Sequence, residues 1–219
     1  MGKKAVCLIS GGMDSAVSAA IAREEGNEIY AITFDYGQRN KREVESAKEI
    51  AKWLNAKHKI IKVDLRQIGG SALTDNIEVP EEAHGIPATY VPARNTIFLS
   101  FALAYAEVVD ADYIFIGVNA VDYSGYPDCR PQYIKAFRNL ANLATKRSVE
   151  GRPIEIKTPL LYLTKAEIVK KGYELGVPFE KTWSCYRERE KHCGRCPSCK
   201  LRKKAFKEAG IEDPTEYEN

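Results

Sequence analysis

At 219 residues, 44% hydrophobic and 29% charged, the chain has the length and apolar content of one soluble α/β domain with a full core. A net charge of +3 is too mild to argue for nucleic acid, and no apolar run approaches the roughly 20 residues that cross a bilayer. The opening MGKKAVCLIS lacks a secretory leader pattern, so a cytoplasmic location is expected, where six cysteines favour metal or redox chemistry over a disulfide framework.

Lys4 to Ser10 is a continuous apolar run, predicted to be a buried parallel strand, and Asp14 to Glu25 has a helical pattern. A second strand is expected over Glu28 to Tyr36. Lys41 to Asn55 then reads as an amphipathic helix with Val44, Ala47, Ile50, Ala51 and Leu54 on one face, followed by a third strand over His58 to Leu65. Arg66 to Ala93 lacks periodicity, which in a compact domain points to a functional or mobile loop. Asn95 to Ala111 is apolar nearly all round and is expected to be a central helix. A fourth strand (Tyr113 to Asn119), a polar loop, a helix from Gln132 to about Lys146 and a fifth strand (Pro153 to Leu161) come next. Thr164 and Glu167 form a capping-box pattern that opens a helix to about Leu175. This alternation predicts an α/β fold, a parallel sheet with helices on both faces, of the Rossmann-like kind. The expected division is an α/β domain over 1–180 and a small metal-binding helical segment over 181–219, packed together as one functional unit. Ligands of such sheets sit at the carboxyl ends of the strands, here the loops Ser10 to Ser15, Asp35 to Asn40 and Asn119 to Arg130.

The first of these loops, SGGMDS, follows the first strand directly. Gly11 and Gly12 allow close backbone approach, so main-chain N–H groups can converge on phosphate oxygens, with Ser10 and Ser15 as hydroxyl donors. Asp14 repels phosphate and is suited to holding Mg²⁺ or fixing the loop. A tight capped turn is the plainer reading of two glycines alone. The stretch is neither a Walker A loop nor a dinucleotide fingerprint, for it lacks the Gly-Lys-Ser/Thr and the third glycine.

Cys185, Cys193, Cys196 and Cys199 read C-x7-C-x2-C-x2-C. Four thiolates on a tight knuckle suit a closed structural zinc site, one per chain, with an iron–sulfur cluster as the competitor. His192 reads as a surface histidine. From Lys181 to Ala209 ten Lys or Arg stand against three Glu, a solvated helix face or a phosphate contact, and the tail after Gly210 is acidic. Cys7 is expected in the core. Cys129 beside Arg130 reads as a packing or substrate-lining thiol, with a lowered pKa and a nucleophilic role as the alternative.

SGGMDS resembles the pyrophosphate loop of the N-type ATP pyrophosphatases, which adenylate carbonyl or carboxyl oxygens. FDYGQRN (34–40), VPARN (91–95), DYSGYPDCRP (122–131) and TWSCY running into CGRCPSCKLRKKAF extend the resemblance over nearly the whole chain, to the 7-cyano-7-deazaguanine synthase family of queuosine and archaeosine biosynthesis. That resemblance implies ATP binding by Leu8, Ile9, Ser10, Gly11, Gly12, Met13, Asp14, Ser15, Ala16, Val17 and Ser18. It implies a reaction of ATP, ammonia and 7-carboxy-7-deazaguanine, aided by Mg²⁺, with the base held by Arg94, Asn95, Asp122, Tyr123, Ser124, Asp128 and Arg130, and by Tyr36, Gln38 and Arg39 at the same sheet edge. A homodimer is expected, and no stable nucleic-acid or membrane partner. Two positions depart from the family pattern: Asn40, where His is frequent, and Ala93, where Gly is frequent. A tRNA-thiolating enzyme of the same superfamily and a non-catalytic zinc RNA-binding module are the alternatives.

Overall fold

A computed structural model of the chain describes residues 2–79, 85–121, 125–187 and 189–218. Five strands, β1 (Lys4–Leu8), β2 (Glu28–Asp35), β3 (Lys57–Lys62), β4 (Tyr113–Phe115) and β5 (Glu155–Lys157), form one all-parallel sheet in the order β3-β2-β1-β4-β5. The order reverses between β1 and β4. Those neighbours carry their connections to opposite sides, leaving a crevice beyond their carboxyl ends.

The helices are α1 (Met13–Glu24), α2 (Arg42–Trp53), α3 (Arg94–Val108), α4 (Pro131–Ala144), a single turn α5 (Lys146–Val149), α6 (Lys165–Glu174) and α7 (Pro197–Ala209). Helices α3 and α4 cover one sheet face, where Leu99, Ala102, Ile134 and Phe137 pack on Val6, Ile32 and Ile114. On the other face α1, α2, α6 and α7 bring Ala16, Val17, Ile50, Ile168 and Phe206 against Ala5, Cys7 and Phe115. The predicted capping box is formed: Thr164 N donates to Glu167 Oε2 at 2.7 Å and Glu167 N to Thr164 Oγ1 at 3.2 Å.

Several expectations are corrected. The third strand ends at Lys62, and Leu65 opens a short 3₁₀ turn capped by Asp64. Pairing of the fourth stops at Phe115. A Cβ on Gly117 would lie 2.8 Å from the carbonyl of Asp14, so the chain there passes against the start of α1. Helix α3 is not central: it buries one side and leaves Phe101 40% and Val108 81% exposed. Ala93, the residue before α3, has φ 52°, a left-handed backbone that costs an L-residue roughly 1–2 kcal/mol and that glycine adopts freely. Asn40 is buried. Its amide accepts from Arg42 N at 2.9 Å and donates to the carbonyl of Arg187 at 2.8 Å, tying the start of α2 to the cysteine segment. No described helix is long and apolar enough to cross a membrane.

Candidate active site

The loop Ser10–Gly12 leaves β1 at the crevice. Gly11 has φ 87°, and a Cβ there would stand 2.2 Å from the carbonyl oxygen of Glu43, so only glycine lets α2 close on the loop. Ser15 Oγ donates to the Gly12 carbonyl at 2.9 Å and accepts from Ser10 N at 3.1 Å, which holds the loop formed. No side chain caps α1, whose first turn faces the crevice with the positive end of its dipole. This is the geometry in which main-chain amides bind an anion.

Lys165, the first residue of α6, forms an ion pair with Asp14 Oδ2. The other oxygen, Asp14 Oδ1, is buried with no hydrogen-bond partner. A carboxylate oxygen left open beside the Ser10–Ser15 loop fits Mg²⁺, which is commonly held by one or two carboxylates together with substrate phosphates. Across the crevice Arg94 donates to Tyr36 Oη at 3.1 Å, with its guanidinium 5.6 Å from the Tyr36 ring centre.

These groups line one cavity of about 280 Å³. Of the predicted ATP residues, Leu8, Ile9, Ser10, Gly12, Met13, Asp14 and Ser15 line it. Gly11 sits behind the loop against α2, while Ala16, Val17 and Ser18 are buried in α1. Of the predicted base-binding residues, Tyr36, Gln38, Arg94 and Asn95 line it. Gln38 is itself a loop fastener, accepting from Tyr36 N at 2.8 Å. Asp128 is buried behind the wall, where its carboxylate accepts from Asn95 N at 2.9 Å. Arg39 and Arg130 are not in the lining: Arg39 donates to Asn76 Oδ1, and Arg130 to the Pro127 carbonyl. Asp122, Tyr123 and Ser124 lie outside the described residues. Sequence reasoning missed Lys165 and Glu43, and also Trp183 and Tyr186, which line the cavity from the cysteine segment.

Cys129 lines the cavity too, and burial together with the charge of Asp128 pushes its thiol up to about 12. The alternative of a thiol lowered by Arg130 is therefore not met, the reading as a packing or substrate-lining thiol stands, and the thiol is protonated at neutral pH. Cys129→Ser is expected to keep activity with ammonia within about threefold, checked by initial rates of product formation; a thiol that relays sulfur or acts as nucleophile would lose about 10³-fold or more.

Cys185, Cys193, Cys196 and Cys199 are all buried, with their sulfur atoms within 4.8 Å of one another. A tetrahedral Zn–S shell, with bonds of about 2.3 Å, has sulfur–sulfur edges of about 3.8 Å. Main-chain N–H groups of Arg187 and Cys193 approach the Cys185 sulfur at 3.4 and 3.5 Å, and that of Cys196 approaches the Cys193 sulfur at 3.3 Å, as thiolates require. Hydrogen bonds from Cys185 and Cys199 hold the Cys196 thiol far below its usual range, while Cys185 and Cys199 are pushed up, because packed thiols cannot all ionise alone. A dication relieves that conflict, so the donor set fits zinc with no open position for substrate. His192 is buried beside this cluster, not on the surface. It stacks on Trp183 at 4.1 Å and accepts from Ser184 N at 3.0 Å, and burial lowers its pKa to about 4. The acidic tail folds back on the segment through Asp213, which pairs with the fully buried Arg202 at 3.1 Å. From this segment Trp183 N donates to the Gly11 carbonyl at 2.8 Å, a direct bond between the cysteine module and the Ser10–Gly12 loop.

A parallel sheet with a glycine loop at the β1/β4 reversal, together with a buried four-cysteine cluster, defines an α/β protein of Rossmann-like, adenine nucleotide alpha hydrolase-like fold. NMN synthetase from Francisella tularensis shares this fold with a TM-score of 0.55 at 17% identity, over 96% of this chain and 79% of that one. The chain belongs to the family described as queuosine biosynthesis protein QueC, whose model matches residues 4–210. It is 59% identical over 222 residues to the 7-cyano-7-deazaguanine synthase of Saccharophagus degradans, covering 99% of each chain. It is 58% identical over 223 residues to that of Citrifermentans bemidjiense, covering 100% of this chain and 99% of the relative.

Proposed function

We propose that the protein is an ATP-dependent carbon–nitrogen ligase acting in the cytoplasm, which converts 7-carboxy-7-deazaguanine and ammonia to 7-cyano-7-deazaguanine by way of the amide. One observation carries this reading: a phosphate loop, a lysine and an arginine share a single cavity. A carboxylate is a poor electrophile with a poor leaving group. Transfer of AMP to its oxygen remedies both, and losing the second oxygen to reach a nitrile requires a second activation of the same kind.

In this reading the amides and hydroxyls of Ser10–Ser15 bind the departing pyrophosphate. Lys165, anchored by Asp14, offsets the negative charge that develops as the bond to the α-phosphorus breaks, where a preorganised cation is most effective. Arg94, fixed by Tyr36, orients the substrate carboxylate toward the nucleotide. Asn95, held by Asp128, offers a polar contact to the purine-like base. Asp14 Oδ1 would hold Mg²⁺, which supplies charge neutralisation to the phosphates. The segments 1–180 and 181–219 work as one unit, because the second contributes Trp183, Ser184 and Tyr186 to the cavity.

Incubation with ATP, ammonium and the carboxylate, with mass analysis of base and nucleotide, tests the proposal: amide, nitrile and AMP are expected, and ATP consumption indifferent to the base contradicts it. The tRNA-thiolating alternative is disfavoured because its sulfur carrier would have to be Cys129, a buried, protonated thiol. Self-association is proposed through the outer sides of α3 and α4, where Phe101, Val108 and Leu143 (82% exposed) are apolar side chains left in solvent. Sedimentation is expected to give a dimer, and Val108→Glu a monomer; a wild-type monomer contradicts this.

A further inference from the structure

Among the described residues the cavity has two carboxylates in its lining, Asp14 and Glu43. Asp14 Oδ2 is engaged by Lys165, and its open Oδ1 is the oxygen that fits Mg²⁺. Glu43 stands in the first turn of α2, its main chain pressed on Gly11 and therefore on the phosphate loop. Among the described residues no hydrogen bond or ion pair engages its carboxylate. Its charged and titratable neighbours are Arg94 from α3 and Tyr36 from the end of β2. Burial raises Glu43 to about 7, with Arg94 pulling the other way, so both protonation states are accessible near neutral pH.

Among the described residues, the other side chains lining the cavity are poor proton acceptors, Lys165 being held in its ion pair with Asp14. Burial pushes the Tyr36 phenol and the Cys129 thiol each up to about 12, so both are protonated. Arg94 and Arg202 are permanent cations, and Arg202 is held by Asp213. Neither described histidine of the folded core lines the cavity: His58 contacts Thr33 from β3, and His192 lies in the cysteine module.

The geometry points to Glu43 as the general base that takes protons from nitrogen in both rounds, an inference that rests on the ligase reading above. In the first round an ammonium ion gives one proton to Glu43. The freed ammonia forms the C–N bond to the acyl carbon, and the C–O bond breaks with its electron pair leaving on AMP. The second proton shed by nitrogen passes through Glu43 once the first has moved on to water. In the second round the amide oxygen bonds to the α-phosphorus of a new ATP and pyrophosphate leaves. The nitrogen then yields two protons in turn to Glu43 as the carbon–nitrogen triple bond forms and the C–O electron pair departs on AMP. No oxidant or reductant is needed.

The test is Glu43→Gln, read by two assays. Exchange of labelled pyrophosphate into ATP, with the carboxylate present and ammonia absent, reports adenylation before any nitrogen proton moves. Amide and nitrile formation report the steps after adenylation, in which nitrogen loses its protons. The expected result is exchange within about threefold of wild type, with amide and nitrile formation down by about 10²–10⁴-fold. The residual rate of the variant should climb with pH as free ammonia accumulates, whereas the wild-type rate falls below about pH 7 as Glu43 protonates. Glu43→Asp should restore part of the product rate. Loss of exchange in step with product formation, with a raised Mg²⁺ requirement, overturns the inference and gives Glu43 to adenylation, as does an unchanged product rate. A wild-type protein with no base-dependent exchange removes the ligase reading itself.

Discussion

Replacing Lys165 by Met is expected to slow pyrophosphate release by about 10²–10³-fold, the usual effect of losing one preorganised group at a developing charge. The side chain is almost entirely buried and forms its ion pair with Asp14 across 151 residues of sequence, from the first turn of α6. A lysine there opposes the helix dipole, which favours acids at an N-terminus. Local stability therefore does not explain its presence, whereas the proposed role as a cation in the cavity beside the Ser10–Ser15 loop does. Removing it also leaves Asp14 with an uncompensated charge. The resulting destabilisation should stay below the roughly 3–5 kcal/mol of a fully buried broken pair, because the Asp14 side chain keeps 24% of its exposure. Asp14→Asn combined with Lys165→Met separates the two effects: denaturant unfolding should return toward wild type while activity stays low. Recovery of activity in the double variant would make Lys165 a mere counter-ion.

Cys196→Ser is expected to lower zinc content from one per chain toward zero and activity by at least about 100-fold, although no cysteine of the cluster lines the cavity. The path is structural. The cysteine segment is polar, and a zinc ion held by its four thiolates would fasten it, so that metal affinity would be folding free energy there. Once loosened, it withdraws Trp183, Ser184 and Tyr186 from the cavity and the Trp183 bond from the Gly11 carbonyl. Displacements of about 1 Å at such sites cost on the order of 10²-fold in rate. Zinc analysis with steady-state rates checks this; full activity in a zinc-free variant would show that the module does not support the loop.

The alternation of strands and helices is legible in the sequence because buried parallel strands are continuous apolar runs and the helices here are mostly amphipathic. The phosphate loop and the cysteine knuckle are legible for a related reason: both need particular residue types at adjacent positions, so the chemistry is local in sequence. Glu43 and Lys165 are not, since each sits on a polar helix turn that reads as solvated surface and acquires its setting only when the helix docks. Lys165 alone leaves a local trace, a cation at a helix start. His192 reads as surface because its sequence neighbours are polar, while the groups that bury it, Trp183 and Tyr217, arrive from 9 and 25 residues away. For α3, an all-apolar pattern says nothing about which side meets the sheet, and the structure leaves Phe101 and Val108 outside.

The most direct test is a crystal structure with a non-hydrolysable ATP analogue and the carboxylate bound. The β- and γ-phosphates should lie within hydrogen-bond distance of the main-chain amides of Ser10–Ser15, with the substrate carboxylate between the α-phosphorus and Arg94. A triphosphate bound elsewhere, with that loop empty, would contradict the account.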